Sequence, residues 1–151
     1  MQVKNLFDKE TFNEILTRIH FVNSHSERLW GKMTPGQMMA HCKEAFKVPL
    51  SSKPMPRMLL GLLIGWAMKK KLYDESPWGQ NLPTAPNFII KGDRDFETEK
   101  NDLVSMITSF HQRGALGIGD KVHPMFGKLT AEQWGKSMWK HLDHHLMQFG
   151  V

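Results

Sequence analysis

The sequence predicts an all-α protein, an up-down four-helix bundle with an extra apolar helix and a long irregular crossover. Apolar residues recur at helical spacing, most plainly at Phe12, Ile15, Leu16 and Ile19, which form one stripe at i, i+3, i+4 and i+7. Two Thr-x-x-Gln segments have the form of the capping box that begins a helix. No stretch alternates like a convincing strand, and antiparallel helices of this length pack most readily as a bundle.

The first three helical segments are delimited by caps and prolines. The first helix is predicted over about residues 8–22. The second begins at the N-cap Thr34, with Pro35 at the first helical position, and should end near Val48 because Pro49 disfavours helix at the residue before it. The extra apolar segment covers about residues 57–72 and ends in lysines that suit a helix C-terminus.

A long segment without helical period separates the extra segment from the last two helices. Residues 73–92 contain three prolines, and a loop of this length is usually functional or packed over something. The fourth helix is predicted over about residues 95–112, followed by a glycine-rich connection at 114–127. The last helix begins at the cap Thr130 and runs to about Phe149.

Length and composition favour a single soluble domain over residues 1–151. The chain is long enough to bury a core, and its 40% hydrophobic and 23% charged residues are ordinary for a soluble globular protein. The net charge is +5, but the basic residues are scattered apart from the run 69–71. This distribution favours a soluble surface over a nucleic-acid groove, so no nucleic-acid partner is expected.

The single cysteine and the apolar segment bear on location and partners. Cys42 has no intrachain disulfide partner, and residues 1–10 lack a signal core, so a cytoplasmic protein without a membrane partner is expected. The apolar run 58–68 is shorter than the roughly 20 residues that cross a bilayer. A helix packed in the core or against a partner is favoured, which suggests a homodimer. An interfacial helix is the alternative, because Arg57 precedes the run and the lysines 69–71 follow it.

Three histidines lie on helix faces that the apolar stripes predict to be buried. His41 follows the cap Thr34 by seven residues and His141 follows the cap Thr130 by eleven, a difference of about one helical turn. His145 lies one further turn along the same face as His141. Buried histidines without partners lose hydrogen bonds, and their charged forms are disfavoured. One divalent metal satisfies all three, so the sequence predicts a metal site at His41, His141 and His145, each neutral and binding through one ring nitrogen.

Other interpretations of these histidines stay open at this point. His41 alone is also consistent with a satisfied core or surface histidine, and His141 and His145 with the solvent-facing side of a polar helix. His144 is the alternative to His145 as a metal ligand. It follows His141 by three residues, but it is rotated around the helix in the opposite direction. Asp143 points away from His141, so we assign it to the solvated face.

Three segments carry a resemblance to a known superfamily. WGKMTPGQMMAH, residues 30–41, resembles the second-helix signature of the DinB/YfiT-like metalloenzymes, and KHLDHHLMQF, residues 140–149, resembles their last-helix signature. HPMFGKLT, residues 123–130, together with Trp134 and Gly135, resembles one branch of that superfamily known only as a domain of unknown function. The likeness spans essentially the whole chain.

The resemblance implies a four-helix bundle with a three-histidine site for a divalent metal. The first histidine of the signature corresponds to His41, and the other two correspond to His141 and His145. Characterised relatives include thiol-dependent S-transferases and a mycothiol-dependent isomerase. Their fused thiol-recognition features have no match in this chain, so the resemblance leaves the substrate open.

Three neutral histidines leave coordination positions open, the pattern of a catalytic metal site. We therefore expect a divalent-metal-dependent enzyme of the hydrolase or transferase kind that acts on a small molecule, and the resemblance implies a thiol-dependent transferase with a thiol as the substrate. Zinc or nickel is favoured, with iron or manganese as alternatives. Glu44, one turn from His41, is the candidate base, with a surface carboxylate as the alternative. Cys42 is expected to be a small buried residue and not a ligand.

Two other functions stay open. One is a non-catalytic helical binding or interaction protein whose histidines are vestigial or structural. The other is a damage-response factor that contacts nucleic acid, which rests on the net charge and the name of the superfamily.

Overall fold

The computed structural model describes residues 2–84 and 86–151. Within these residues the chain is mostly helical, as predicted, and also contains one small antiparallel sheet. The helices are α1 (Lys9–Phe21), α2 (Pro35–Leu50), α3 (Leu59–Met68), α4 (Phe96–Ile118) and α5 (Ala131–Gln148), and the strands are β1 (Lys121–His123) and β2 (Gly127–Leu129).

Both predicted capping boxes are confirmed, and they fix where α2 and α5 begin. The Thr34 hydroxyl accepts the backbone N–H of Gln37 at 3.2 Å, and the Gln37 side chain accepts the N–H of Thr34 at 3.0 Å. Thr130 and Gln133 repeat the pattern at 3.2 and 3.1 Å. Each box satisfies two N–H groups that a helix start leaves without partners, so each helix has a defined first turn.

The end of α2 differs from the prediction. The helix continues to Leu50, with Pro49 inside its last turn. A proline there costs one backbone hydrogen bond, because it has no N–H. The turn is nevertheless closed by Ser51, whose N–H donates to the carbonyl of Lys47 at 3.0 Å. The Pro49 carbonyl accepts the ammonium of Lys121 at 2.7 Å, so tertiary contacts hold the turn in place.

The predicted glycine-rich connection after α4 is wrong in two respects. The helix extends to Ile118, with one non-helical residue at Gly114, whose φ of 62° suits glycine. Beyond it, β1 and β2 form a hairpin in which Lys121 pairs with Leu129 and His123 with Gly127. Each strand has three residues, too few to show the alternation by which strands are predicted.

The core lies between the four longer helices. Helix α2 packs along α4, and α5 contacts α1, α2 and α4. The N-terminal segment lies on α5, where the N–H of Leu6 donates to the carbonyl of Gly135 at 3.2 Å. A Cβ at Gly135 would come within 2.0 Å of the Asn5 side chain, so only glycine permits this approach. The largest buried apolar side chains are those of Leu6, Ile15, Ile19, Met38, Met39, Phe46, Leu103, Ile107, Phe110, Leu129 and Trp134.

Asp143 is the clearest error of side-chain placement. It was assigned to the solvated face of the last helix, but it is buried. The Nη1 atom of Arg18 donates to its carboxylate at 2.7 Å, and Nη2 of the same side chain donates to the carbonyl of Val151 at 2.9 Å. Asp143 is buried because α1 covers this side of α5, a contact that helical spacing along α5 alone does not reveal.

The apolar segment forms α3, followed by a 3-10 turn at Lys69–Leu72. The sequence favours packing of this segment in the core or against a partner, and core packing is wrong for three of its large side chains, because Leu59, Leu63 and Trp66 are 81%, 73% and 77% exposed. Among the residues of α3 whose side chains the structure describes, the buried ones are Gly61 and Gly65, which the hairpin covers. A Cβ at Gly65 would lie 2.0 Å from the carbonyl oxygen of Met125. In the described part of the chain, no helix is long and apolar enough to cross a bilayer.

The hairpin is organised around His123. Its Nδ1 accepts the backbone N–H groups of Met125 at 3.0 Å and Phe126 at 3.3 Å, and its ring stacks on Trp134 with the centroids 5.6 Å apart. Burial, with a smaller contribution from the positive charge of Arg57, lowers the pKa of His123 to about 4. Neutral His123 is therefore the form that accepts both hydrogen bonds.

Acidification should destabilise the protein through His123. The pKa of this histidine is about 6.5 in an unfolded chain and about 4 in the fold. The unfolded state therefore binds more protons between those values, and the free energy of unfolding falls as the pH is lowered through this window. In His123→Asn, the amide oxygen can still accept the two N–H groups but does not titrate. We expect the variant to lose about 1–3 kcal/mol less stability than the wild type between about pH 7 and pH 4.

Urea unfolding at a series of pH values measures this difference. If the free energy of unfolding depends on pH in the same way in both proteins, His123 is not the group that links proton binding to stability.

Candidate metal centre

Two helices bring the three predicted histidines together. His41 lies in the middle of α2, and His141 and His145 lie one turn apart in the second half of α5. The two helices are in contact, and both begin at a Thr-x-x-Gln cap. The cap-to-histidine spacings of the sequence place the histidines on nearly the same face of each helix, and the packing of α2 against α5 brings the three rings together.

The three imidazole rings form a nearly equilateral triangle. Their centroids are 5.0 Å apart for His41 and His141, 4.6 Å for His41 and His145, and 4.8 Å for His141 and His145. Each pair meets edge to face, with interplanar angles of 68° to 82°. One nitrogen of each ring lies within 4.8 Å of a nitrogen of each of the others, so the group can hold a metal ion.

Hydrogen bonds outside the triangle fix two of the rings. The Nδ1–H of His41 donates to the carbonyl of Phe88 at 3.0 Å, and the Nδ1–H of His145 donates to the amide oxygen of Gln148 at 3.0 Å. The amide nitrogen of Gln148 in turn donates to the carbonyl of Trp30 at 2.8 Å, which sets the orientation of its oxygen. A neutral imidazole that donates from Nδ1 has its lone pair on Nε2. His41 and His145 are thus held in the form in which Nε2 binds a metal.

His141 is the member of the triangle that the protein leaves incomplete. Its Nε2 lies 3.0 Å from Nε2 of His41, and its buried Nδ1 has no hydrogen-bond partner in the structure. The His41 nitrogen carries a lone pair, so the short contact requires either a proton from His141 or a shared cation. The 3.0 Å spacing is close to the edge of about 3.3 Å expected between two nitrogens on one tetrahedral zinc. The ligand set therefore fits a divalent metal.

The cluster is electrostatically suited to neutral imidazoles. Burial, with smaller contributions from the neighbouring His41 and His144, lowers the pKa of His145 to about 3, while the bond to Gln148 acts in the opposite direction. Burial also lowers the pKa of His141 well below its ordinary value, with the other histidines adding to the effect. The pKa of His41 is lowered by burial, against the bond to Phe88 and the charge of Glu44. Deprotonated rings are the form that binds a metal.

His144 lies beside the triangle and is not part of it. Its ring is 5.1 Å from that of His145, and it lies against Trp30 and Trp78 at 5.9 and 5.6 Å. Burial lowers its pKa, against the charge of Asp143. Of the two histidines, His145 is the one that converges with His41 and His141.

The long loop packs over the cluster, as the sequence predicted for a loop of this length. Trp78 of this loop reaches to within 5.9 Å of the His141 ring, and its indole N–H donates to the carbonyl of Lys71 at 2.7 Å. The buried ammonium of Lys140 donates to the same carbonyl at 2.8 Å and to the Asp74 carboxylate at 3.0 Å. These bonds tie α5 to the start of the loop and hold Trp78 over the histidines.

Neither Glu44 nor Cys42 is among the converging ligands: Glu44 forms an ion pair, and Cys42 is buried. The Glu44 carboxylate accepts the ammonium of Lys47 one turn along α2, and its charge acts on His41, but it is not among the converging ligands. Cys42 is buried, as predicted, and burial raises the pKa of its thiol, so the reactive thiolate is disfavoured.

Four groups around the cluster were missed by sequence reasoning. Gln148 follows His145 by three residues, and this helical spacing is the sequence signal for a hydrogen bond between them. The Phe88 carbonyl, the Lys140 ammonium and the Trp78 ring carry no local sequence signal, because their partners are 47 to 69 residues away in the chain or lie on another element.

One protein family matches nearly the whole chain. The family described as "Protein of unknown function (DUF1569)" matches residues 2–150. No curated protein and no solved structure matches the chain. Since the match covers nearly all of the sequence, the chain belongs to the DUF1569 family.

Proposed function

We propose that this protein is a divalent-metal-dependent enzyme, a hydrolase or a thiol-dependent transferase, that acts on a small molecule. The observation that carries the proposal is the convergence of three neutral imidazoles from α2 and α5. In two of these rings the Nδ1–H is already bonded to an oxygen, which leaves Nε2 available. Such orientation by a second hydrogen bond is usual for histidines that bind metals.

Three protein ligands favour a catalytic site over a closed structural one, because zinc then keeps a position for water or substrate. A divalent ion held there would lower the pKa of a bound water or thiol and supply a nucleophile near neutral pH. Imidazole ligands suit zinc and nickel, which we favour, and also iron; manganese is the weaker alternative.

The residues around the ligands fit an enclosed site. Trp30 and Trp78 lie against His144, and both are only half-buried, so they flank the cluster and also reach the surface. We assign them to the mouth through which a small molecule would enter. Glu44 is the carboxylate we assign to proton transfer or to support of His41, since its charge already acts on that ring. Its ion pair with Lys47 has to open for the first of these roles.

We also propose that the chain is one DinB/YfiT-like domain, a four-helix bundle of α1, α2, α4 and α5. The contacts among these helices support the bundle, and the two histidine signatures support the superfamily. Helix α3, the hairpin and the long loop are then additions to the bundle.

A non-catalytic binding protein is the second candidate, and one contact favours it. His141 can donate its Nε2–H to Nε2 of His41 across the 3.0 Å between them, so a proton alone satisfies this pair. Chelation separates the two candidates. Removing a metal that binds only the native state lowers the melting temperature, whereas a proton-bridged pair leaves it unchanged.

Metal analysis should find one equivalent of divalent metal in the wild-type protein. His41→Ala, His141→Ala and His145→Ala should each lower the affinity by about a hundredfold or more, because each removes one of only three ligands. His144→Ala is the matched control and should keep its metal. Elemental analysis after dialysis and calorimetric titration with zinc measure both quantities, and full occupancy in His41→Ala or His145→Ala would contradict the site.

Gln148 should matter to metal affinity although it does not touch the metal. Gln148→Leu removes the acceptor for His145 Nδ1–H, so we expect affinity to fall about 10- to 100-fold. Gln148→Glu keeps an acceptor at that position and should retain most of the affinity. Zinc titration of the two variants decides the point, and unchanged binding by Gln148→Leu would show that the ring needs no such support.

Cobalt substitution should show whether a coordination position is open. Adding a small thiol such as 2-mercaptoethanol to the cobalt-loaded protein should change its visible absorption, because a thiolate can bind beside the three histidines. The same titration of His144→Ala is the control for a thiol that contacts His144 beside the metal site instead of binding the metal. A spectrum that no added thiol alters would argue against the thiol-transferase form of the proposal and for a hydrolase or a closed site.

A further inference from the structure

Helix α3 presents an unusually apolar surface to solvent. Its ten residues include no polar side chain, and its only buried members with described side chains are two glycines. We call the exposed apolar side chains the α3 face; they are Leu59, Leu62, Leu63, Ile64, Trp66 and Met68, between 43% and 81% exposed. A contiguous apolar patch of this kind usually marks a surface that binds something.

The glycine side attaches α3 firmly to the hairpin. Added Cβ atoms at Gly61 and Gly65 would come within 2.3 and 2.0 Å of the Met125 carbonyl oxygen, so the helix backbone lies directly on the hairpin turn. The N–H of Met58 and the Nε of Arg57 both donate to the carbonyl of Pro124, at 3.0 and 3.2 Å. The α3 face therefore points away from the rest of the protein and cannot turn inward without breaking these contacts.

The charge of this region is equally one-sided. Residues 51–73 contain five basic residues and no acidic residue, namely Lys53, Arg57, Lys69, Lys70 and Lys71. The whole chain has 20 basic and 15 acidic residues, so the remainder is balanced and this segment accounts for the entire net charge of +5. The partner of the α3 face must therefore accept both an apolar helix and a concentration of positive charge.

A second copy of the chain is a poor match for these requirements. In a two-fold pair of α3 helices, the same patch of each copy faces the other. Antiparallel helices would bring Arg57 against the lysines 69–71 of the other copy, and parallel helices would bring the lysine runs together. Like charges placed side by side at an interface oppose association.

We infer that the α3 face docks on an anionic lipid bilayer. Leucine, isoleucine and tryptophan side chains of an interfacial helix enter the boundary between headgroups and acyl chains, and adjacent lysines bind the acidic headgroups. Trp66 has the amphipathic ring that favours this boundary. The exposure of these side chains excludes the core packing that the sequence suggested as one possibility, and it leaves them free for the interfacial alternative.

Co-sedimentation with vesicles tests the inference directly. The wild-type protein should bind vesicles that contain phosphatidylglycerol and not vesicles of phosphatidylcholine alone, and added salt should weaken the binding. The double variant Leu63→Glu/Trp66→Glu and the triple variant Lys69→Ser/Lys70→Ser/Lys71→Ser should each lower the partition coefficient on the order of a hundredfold. Leu116→Glu changes a fully exposed leucine on α4 and should bind as the wild type does.

Three results would overturn the inference. The first is the absence of wild-type binding to phosphatidylglycerol vesicles at low salt, and the second is equal binding to both kinds of vesicle. The third is equal loss of binding in Leu116→Glu. Sedimentation equilibrium adds a decisive alternative: a dimer that Leu63→Glu/Trp66→Glu dissociates, without vesicle binding, would assign the α3 face to a second copy. All substituted side chains are exposed except that of Lys69, which is half-buried, and melting curves confirm that each variant is folded.

Discussion

The structure depends on one constraint, the enclosure of three imidazoles between α2 and α5 with no carboxylate among them. Burial and mutual proximity lower the pKa values of His141 and His145, so these rings are neutral in the fold. A neutral ring has one donor and one acceptor nitrogen, and each must be satisfied or used. The protein supplies acceptors for the Nδ1–H groups of His41 and His145 and leaves the Nδ1 of His141 without a hydrogen-bond partner.

The long loop, which lies outside the four longer helices, contacts two of the same three histidines. The loop provides the Phe88 carbonyl that orients His41 and the Trp78 ring that covers His141. Lys140 holds this loop with an ammonium that is 1% exposed, and it is acceptable there because the Asp74 carboxylate and two backbone carbonyls surround it. A buried, fully bonded charge of this kind fixes the loop in one position, because any displacement would leave the charge without partners.

The parts of the fold that could be predicted are those with local causes. The caps at Thr34 and Thr130 were predictable, since a capping box needs only residues three apart. The hairpin was not, because three-residue strands have no period and are stabilised by pairing across a turn. Pro49 stayed helical and Asp143 became buried because distant side chains, Lys121 and Arg18, supply their partners.

For the site, the sequence by itself determined which histidines share a face. Helical geometry relates residue spacing to direction, so His41, His141 and His145 follow from their distances to two caps. Only the tertiary structure decided which nitrogen of His41 and His145 is available, that His144 lies outside the triangle, and that α3 is exposed. These three features depend on partners elsewhere in the fold, such as Phe88, Gln148 and the hairpin turn. Their positions are set by the packing of whole elements, which residue spacing along a single helix does not encode.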